Sequence, residues 1–269
     1  MSRKKTKSLK AVNYNAGNIK WYQRELLAEI REMNNDVKQV VLDIIRSNPL
    51  AEDSQLAMDA NPVQLVKRTI DALARKWVDA FVSKATPISD EMVKKTEAAV
   101  DRGLLASARQ ESLTINMQWT SAMTEKVDAI IAENVSLIRS IPEKYFTEVE
   151  GMVYRAVAKG GDRKQLADEI EASFGKRHGI TRRRAEFIAR DQTRKATSAL
   201  SAARQQAAGI VEAEWVHSGG GHKPRQSHVK AGKERKRFKL SEGCLIDGEY
   251  IMPGQLTNCG CVWKPVLPF

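Results

Sequence analysis

Residues 215–228 read WVHSGGGHKPRQSH and residues 253–261 read PGQLTNCGC, and both stretches belong to the C-terminal segment of the chain. All three cysteines of the protein and three of its four histidines lie in this segment, between Trp215 and Phe269. Large apolar residues are too few here for an independent core. We therefore expect the segment to be held by a metal ion, by a cross-link or by packing on the helices that precede it.

Side chains of this segment supply the donor atoms of a tetrahedral zinc site: His228, Cys244, Cys259 and Cys261, with His222 as an alternative to Cys244. Cys-x-Cys is less common in such sites than Cys-x2-Cys, because alternate side chains diverge in a strand. A left-handed conformation at Gly260 would turn both sulfurs to one side. Two alternatives stay open: a cysteine-rich turn held by the core and by hydrogen bonds of Ser227 and His228, or a disulfide.

Catalytic residues are not predicted. No carboxylate has an obvious place as a general base beside the cysteines and histidines, and Cys-x-Cys lacks the two-residue spacer of thioredoxin-like sites. The chain also shows no serine triad, no phosphate-binding loop of the Walker type and no HExxH motif. We expect a protein that is not an enzyme.

The charge balance favours an anionic partner. The 269 residues include 44 Lys and Arg against 33 Asp and Glu, a net charge of +11. A basic surface of this kind suits nucleic acid before membrane, although it is also compatible with a surface that binds nothing. No apolar run approaches the ~20 residues of a membrane span, and the basic N-terminus lacks the apolar region of a secretory signal.

Two groups of cations are candidates for contact with phosphates. Arg183, Arg190 and Arg194 fall within about 40° of one another on a helix. The alternative to phosphate contact by these arginines is ion pairing with nearby acids (Asp168, Glu169, Glu171, Glu186). The run from Lys230 to Lys239 is predicted to be a loop, with solvated charge as its alternative role. Neither group has interleaved aromatic residues, so we expect backbone contacts without base readout. The predicted set is Arg183, Arg190, Arg194, Arg225, Lys230, Lys233, Arg235, Lys236, Arg237 and Lys239.

Hydrophobic periodicity predicts a mainly α fold, an elongated or bundled helical body with a small C-terminal α+β cap. Helices are expected over about 18–47 and 62–85, then from Ser89, over 127–141, from Pro142, over 162–174 and over 182–208, with breaks at proline and glycine. Strands are expected near 211–215, 249–252 and 261–266. The predicted domains are a basic flexible arm (1–17), a helical N-terminal body (18–140) and a C-terminal domain (141–269) that comprises helices over 142–208 and the β cap over 209–269.

Asn134 interrupts an otherwise apolar helical stripe. A polar residue at such a position can fix the register of a contact between helices or subunits, whereas the plainer interpretation is a half-exposed side chain. The N-terminal helices themselves either pack into one body or dock onto a multimeric partner.

Three groups of residues resemble one family. The first group is Arg225-Gln226-Ser227-His228, and the second is Pro253-Gly254 followed by Asn258-Cys259-Gly260-Cys261. The third lies upstream and is the segment 184–190, which precedes an alanine-rich helix and Gly209. They are similar to motifs of the phage head morphogenesis proteins, the phage Mu protein F-like minor head proteins. The chain departs from the family pattern at Asp191-Gln192, where many members have Thr-Glu, and at Gly260, which replaces a usual Arg.

The resemblance implies a function. Members are minor head proteins of tailed phages that associate with the portal during procapsid assembly and are packaged in few copies, and some affect DNA exit. It implies that this chain binds the portal protein, with the major capsid or scaffold protein and non-specific double-stranded DNA as further partners. The expected location is inside the virion head, and the host cytoplasm during assembly. The alternatives are a small zinc-binding nucleic-acid-binding protein and a toxin or effector related to the same family.

Overall fold

The computed structural model describes residues 7–47, 62–159, 163–219 and 223–267. These residues form four long helices, α1 to α4, followed by a small region of short strands around a fifth helix, α5. In chain order the elements are α1 (Ala16–Ser47), α2 (Pro62–Gln110), α3 (Ser121–Lys159), α4 (Arg163–Ala207), β1 (Glu212–Val216), α5 (Gln226–Lys233), β2 (Arg237–Lys239), β3 (Cys244–Ile246), β4 (Glu249–Ile251) and β5 (Val262–Val266). The prediction of a mainly α fold with a small C-terminal α+β cap is confirmed.

The long helices continue through residues that were predicted to end them. Pro87 lies inside α2, Pro142 lies inside α3, and α4 runs through Gly175 and Gly179. Around Pro142 the buried residues Ile138, Ile141 and Tyr145 keep one apolar face on both sides of the proline. Burial of that face offsets the loss of one backbone hydrogen bond, so tertiary packing overrides the local preference. The predicted breaks at these positions were wrong.

The chain divides into two compact units that are interleaved along the sequence. The first comprises Met1–Trp21, Ser89–Glu133 and Ala189–Phe269, and the second comprises Tyr22–Ile88 and Asn134–Ile188. Each of the four long helices therefore contributes to both units. The predicted boundaries at 17/18 and 140/141 stay a prediction.

The core of the second unit contains two buried tyrosine–asparagine hydrogen bonds. Tyr22 donates its hydroxyl to Oδ1 of Asn134 at 2.8 Å, and Tyr145 donates to Oδ1 of Asn34 at 3.1 Å. Asn134 is fully buried, and burial raises the pKa of both tyrosines, which keeps their hydroxyls protonated as donors. The role of Asn134 in an interhelical contact is thus confirmed, and the half-exposed alternative is wrong.

A three-stranded antiparallel sheet forms the cap of the first unit. Its order is β2-β1-β5, with Ala213 opposite Phe238 on one side and Trp215 opposite Trp263 on the other. The hairpin β3–β4 pairs Cys244 with Ile251. The predicted strands near 211–215, 249–252 and 261–266 are confirmed as β1, β4 and β5, whereas β2 and β3 were missed.

The N-terminal segment packs on this sheet. Ser8 forms a β-bridge with Val266, the Leu9 N–H donates to the Pro265 carbonyl at 3.0 Å, and Leu9 is buried. Lys10 also donates its N–H to the Ser107 hydroxyl at 2.7 Å. The prediction of a flexible arm over 1–17 was therefore wrong for residues 7–17, because apolar side chains between the lysines anchor the segment; residues 1–6 lie outside the described chain.

The basic run from Lys230 to Lys239 is ordered as secondary structure and not as a loop. Its first part belongs to α5 and its last part to β2. Gly232, which favoured a loop, lies where α5 crosses the end of β1, and a Cβ atom at this position would lie 2.5 Å from the Cβ of His217. The glycine therefore permits a close approach of helix and strand, and it does not break the helix.

Three buried polar residues of α4 hold the C-terminal segment, and they follow one another at intervals of seven. Asp191 Oδ1 accepts the Asn258 N–H at 2.6 Å, and the Ser198 hydroxyl donates to the Pro253 carbonyl at 2.7 Å. Gln205 Oε1 accepts the indole N–H of Trp263 at 2.6 Å. Seven residues make almost two full turns, so all three side chains lie on one helix face. We call Asp191, Ser198 and Gln205 the polar ladder of α4.

Candidate functional site

His228 is positioned by the sheet through an aromatic contact. It lies on α5, is 3% exposed, and packs edge-on against Trp215 of β1, with ring centroids 5.0 Å apart and planes at 78°. Trp215 is fully buried. Two large rings in this geometry leave the imidazole a single well-packed orientation.

The imidazole faces two cysteine sulfurs. Nδ1 of His228 lies 3.5 Å from Sγ of Cys259 and 3.8 Å from Sγ of Cys261. The ligand atoms of the three residues all lie within 4.8 Å of one another, and all three residues are buried. We call His228, Cys259 and Cys261 the His/Cys cluster. Three of the predicted metal ligands are thus brought together.

The turn before the cysteines aims their side chains. Asn258 has a φ of 61°, in the left-handed region, and its N–H is held by Asp191. Gly254 also has a positive φ, 84°, whereas Gly260 does not have one. The two sulfurs therefore face one side without a left-handed Gly260, and the left-handed residue of this turn is Asn258, a residue type that tolerates this region.

Hydrogen bonding distinguishes the two thiols electrostatically. A hydrogen bond from Cys261 lowers the pKa of Cys259, against burial, which acts to raise it. The same hydrogen bond, together with burial, raises the pKa of Cys261, since Cys261 is the donor. The Gly254 N–H adds a further donor to the Cys259 sulfur at 3.4 Å. The cluster therefore favours a thiolate at Cys259 and a thiol at Cys261. Cysteine sulfur, once deprotonated, and imidazole nitrogen are both ligand types of zinc sites.

Cys244, the predicted fourth ligand, does not belong to the cluster. It lies in β3, opposite Ile251, and burial raises the pKa of its thiol. The alternative, His222, lies outside the described residues. Within the described chain the cluster thus supplies three protein ligands.

A cavity of about 870 Å³ opens beside the His/Cys cluster, and three of the predicted phosphate-binding residues line it. Arg190 and Arg194 line it from α4, and Arg225, the residue immediately before α5, lines it as well. Lys223 adds a fourth cation to the wall, and Cys259 and Cys261 form part of the same wall. We call this space the basic cavity.

The remaining predicted cations lie elsewhere. Arg183 is exposed on the part of α4 that belongs to the second unit. Lys230 lies 4.0 Å from Glu234, Arg237 pairs with Glu214 at 3.1 Å, and Lys239 pairs with Glu242 at 2.9 Å. Lys236 donates to the Leu245 carbonyl, and Lys233 and Arg235 line a separate cavity of about 1120 Å³.

Ion pairing with nearby acids was the alternative role for Arg183, Arg190 and Arg194. Within the described chain, the neighbouring Arg182 forms such a pair, whereas Arg190 and Arg194 do not. Arg182 pairs with Glu186 at 2.9 Å, and Arg184 donates to the Ser140 hydroxyl at 2.7 Å. Among the described residues no carboxylate pairs with Arg190 or Arg194. Because α4 begins at Arg163, these arginines are also not at a helix start, where cations would oppose the helix dipole.

The comparison with protein families matches this region. Residues 147–264 match the family model described as Phage Mu protein F like protein. These residues form a phage Mu protein F-like domain. The match spans all of α4 and includes the cluster, the residues that line the basic cavity, the strands β1 to β4 and the first part of β5. This family suggests a protein of phage head morphogenesis.

Relatives add little about function. An uncharacterized protein of Haemophilus influenzae is 29% identical to this chain over 252 residues, which cover 92% of the chain and 53% of the relative. The chain thus spans about half the length of that protein. No solved structure matches. Over the described residues, no helix has the length and apolar character needed to cross a bilayer.

Sequence reasoning missed three residues that shape the site of the Mu F-like domain. Tyr14 stacks under Arg194, with the guanidinium carbon 4.5 Å from the ring centroid, and accepts a hydrogen bond from it at 3.2 Å. The two residues are 180 positions apart, so no local signal connects them. Lys223 belongs to the stretch 215–228 but was not among the predicted cations, and Asp191 appeared only as a departure from the family pattern. The unusual Asp191 was the one sequence feature that pointed to the polar ladder of α4.

Replacing Asp191 by Ala tests whether the ladder holds the cysteine turn of the Mu F-like domain. The change leaves the Asn258 N–H without its partly buried acceptor, and we expect the free energy of unfolding in urea to fall by about 1 kcal/mol. Alkylation of Cys259 and Cys261 in the folded protein should become faster. The matched variant Asp191→Asn keeps an acceptor oxygen and should lose less; equal losses in the two variants would contradict the role of this hydrogen bond.

Proposed function

We propose that this protein is a non-enzymatic minor head protein of a tailed phage, which associates with the portal during procapsid assembly and is packaged beside the DNA. The observation that carries the proposal is the Mu F-like match over residues 147–264, which includes most of the cap and its His/Cys cluster. The major capsid or scaffold protein is a further candidate partner during assembly.

The surroundings of the cluster support a role without catalysis. The residues that line the basic cavity include four cations, two cysteines and two histidines, and none of them is an Asp or a Glu. A hydrolytic site that uses a carboxylate as its general base would need an acid close to the reacting atom, and the described wall offers none. The cations of the wall support binding of an anion.

Charge supports contact with DNA in the head. The net charge of +11 attracts a polyanion, and exposed cations without an acidic partner among the described residues, such as Arg183 and Arg190, are available to phosphates. Arg237 and Lys239 contribute less, because each is paired with a glutamate. We infer that binding is independent of sequence and depends on release of counterions.

A zinc ion is our proposed occupant of the His/Cys cluster. The observations that support it are the mixed nitrogen and sulfur donors, their separation within 4.8 Å and their burial. His228, Cys259 and Cys261 would hold the ion, which would fasten α5 to the turn before β5. Such a role is structural, and it is equally consistent with the second candidate function, a small zinc-binding nucleic-acid-binding protein.

Association with the portal is tested by co-expression. We expect the full chain to co-purify with the portal protein encoded by the same phage and to be retained during size-exclusion chromatography. The portal protein of an unrelated phage serves as the control. Retention by neither portal, or by both equally, would contradict a specific role in head assembly.

Binding to DNA is tested by fluorescence anisotropy with two duplexes of unrelated sequence. We expect equal affinities, and a loss on the order of a hundredfold between about 50 and 200 mM salt if roughly four phosphates are contacted. Affinity that survives high salt, or that differs strongly between the two duplexes, would contradict backbone contact.

Metal content is tested by elemental analysis of protein purified with a reductant. We expect about one zinc ion per chain in the wild type and its loss in Cys259→Ser and Cys261→Ser. Cys244→Ala is the matched control, because this buried cysteine lies outside the cluster and its change should leave zinc bound. A wild type without zinc, or equal loss in the control, would exclude the proposed site.

A further inference from the structure

The basic cavity concentrates positive charge that the described part of the protein does not neutralise. Arg190, Arg194, Lys223 and Arg225 line a single space of about 870 Å³. Among the described residues of its wall there is no Asp or Glu, so these four cations outweigh the Cys259 thiolate. Asp191, the nearest acid along α4, is engaged elsewhere: it accepts the Asn258 N–H at 2.6 Å and lies 3.5 Å from Lys195. Like charges held together without counterions repel one another, so an anion bound among them is strongly favoured.

Two of the four cations are held in place before any ligand arrives. The Arg194 guanidinium stacks on Tyr14 and donates to its hydroxyl, and the Arg225 guanidinium donates twice to the Thr257 carbonyl at 3.3 and 3.2 Å. Each contact uses only part of the five-donor fork of an arginine. The remaining donors need little reordering to bind, which is the geometry that favours planar, bidentate recognition of phosphate.

One donor in this wall lacks a partner altogether among the described residues. The Nε–H of Arg194 is buried and makes no hydrogen bond, which is a costly state for a charged group. Gly260 lies beside it, and a Cβ atom at that position would lie 3.6 Å from the Arg194 guanidinium carbon and 3.2 Å from the Ser218 hydroxyl. The absence of a side chain at Gly260 therefore keeps this part of the cavity open.

The structure assigns a phosphate monoester site to the basic cavity, with Arg190, Arg194, Lys223 and Arg225 as its ligands. A monoester carries nearly two negative charges and three acceptor oxygens at neutral pH, and it matches four converging cations better than a singly charged diester does. A terminal phosphate projects from its molecule and can enter a concave site, whereas the phosphates along the side of a duplex lie on a convex surface and enter it less readily. The source is either a free nucleotide or the terminal phosphate of a DNA strand; only the second source rests on the proposed function.

Titration calorimetry of the full chain with inorganic phosphate and with a nucleoside 5′-monophosphate tests the site. We expect both to bind, and affinity to fall about tenfold in Arg190→Gln and by a similar factor in Lys223→Gln, each of which removes one charged donor. Arg182→Gln is the matched control, since Arg182 lies on the same helix, is exposed, pairs with Glu186 and does not line the cavity. Circular dichroism confirms that each variant is folded.

Two outcomes would overturn the site: no binding of either probe to the wild type at millimolar concentration, or binding that Arg190→Gln and Lys223→Gln leave unchanged. Duplexes with and without a 5′-phosphate separate the sources. Preference for the phosphorylated duplex, lost in Arg190→Gln, assigns the site to a strand end, whereas nucleotide binding without that preference assigns it to a free nucleotide. Duplex binding that the cavity variants and the 5′-phosphate leave unaltered would preserve the proposed DNA contact and remove the cavity from it.

Discussion

The polar ladder of α4 is the constraint on which the cap and its site depend. Asp191, Ser198 and Gln205 each form a hydrogen bond to a different point of the C-terminal segment, with distances of 2.6 to 2.7 Å, and the bonds of Ser198 and Gln205 are fully buried. Each bond contributes only about 1 kcal/mol net to stability, but a buried partner left unsatisfied costs more. The ladder therefore acts mainly by excluding other positions and registers of the segment along the helix.

This constraint brings the chemistry together. The first rung fixes Asn258 in its left-handed conformation, which directs Cys259 and Cys261 toward His228. Because the same stretch of α4 carries Arg190 and Arg194, the arginines are placed beside the cysteine turn by the same helix that anchors it. The His/Cys cluster and the basic cavity are thus neighbours as a result of one helix face, although their residues are far apart in the sequence.

Periodicity was sufficient to predict the helical character of the chain and the three strands with clear alternation. The donor types of the C-terminal segment, and not periodicity, predicted a site that joins His228 with Cys259 and Cys261. Periodicity failed where long-range packing opposes a local preference. Pro87 and Pro142 do not end their helices, and Gly232 does not interrupt α5, because burial and close approach decide these positions. Cys244 illustrates the complementary limit: ligand chemistry is visible in a sequence, whereas the direction in which a strand points its side chain is not.

The N-terminal segment illustrates the same limit, since its lysines suggested a mobile tail while Leu9 decided its position. Its pairing with β5 has a consequence for molecules at high concentration. A free strand edge exposes a row of backbone donors and acceptors on which a second chain can add, and such edges are a common origin of aggregation. Here the Leu9 N–H and the Lys7 carbonyl already occupy groups of Pro265 and Leu267. The C-terminal end of the β5 edge is thus closed to intermolecular strand addition by the chain itself.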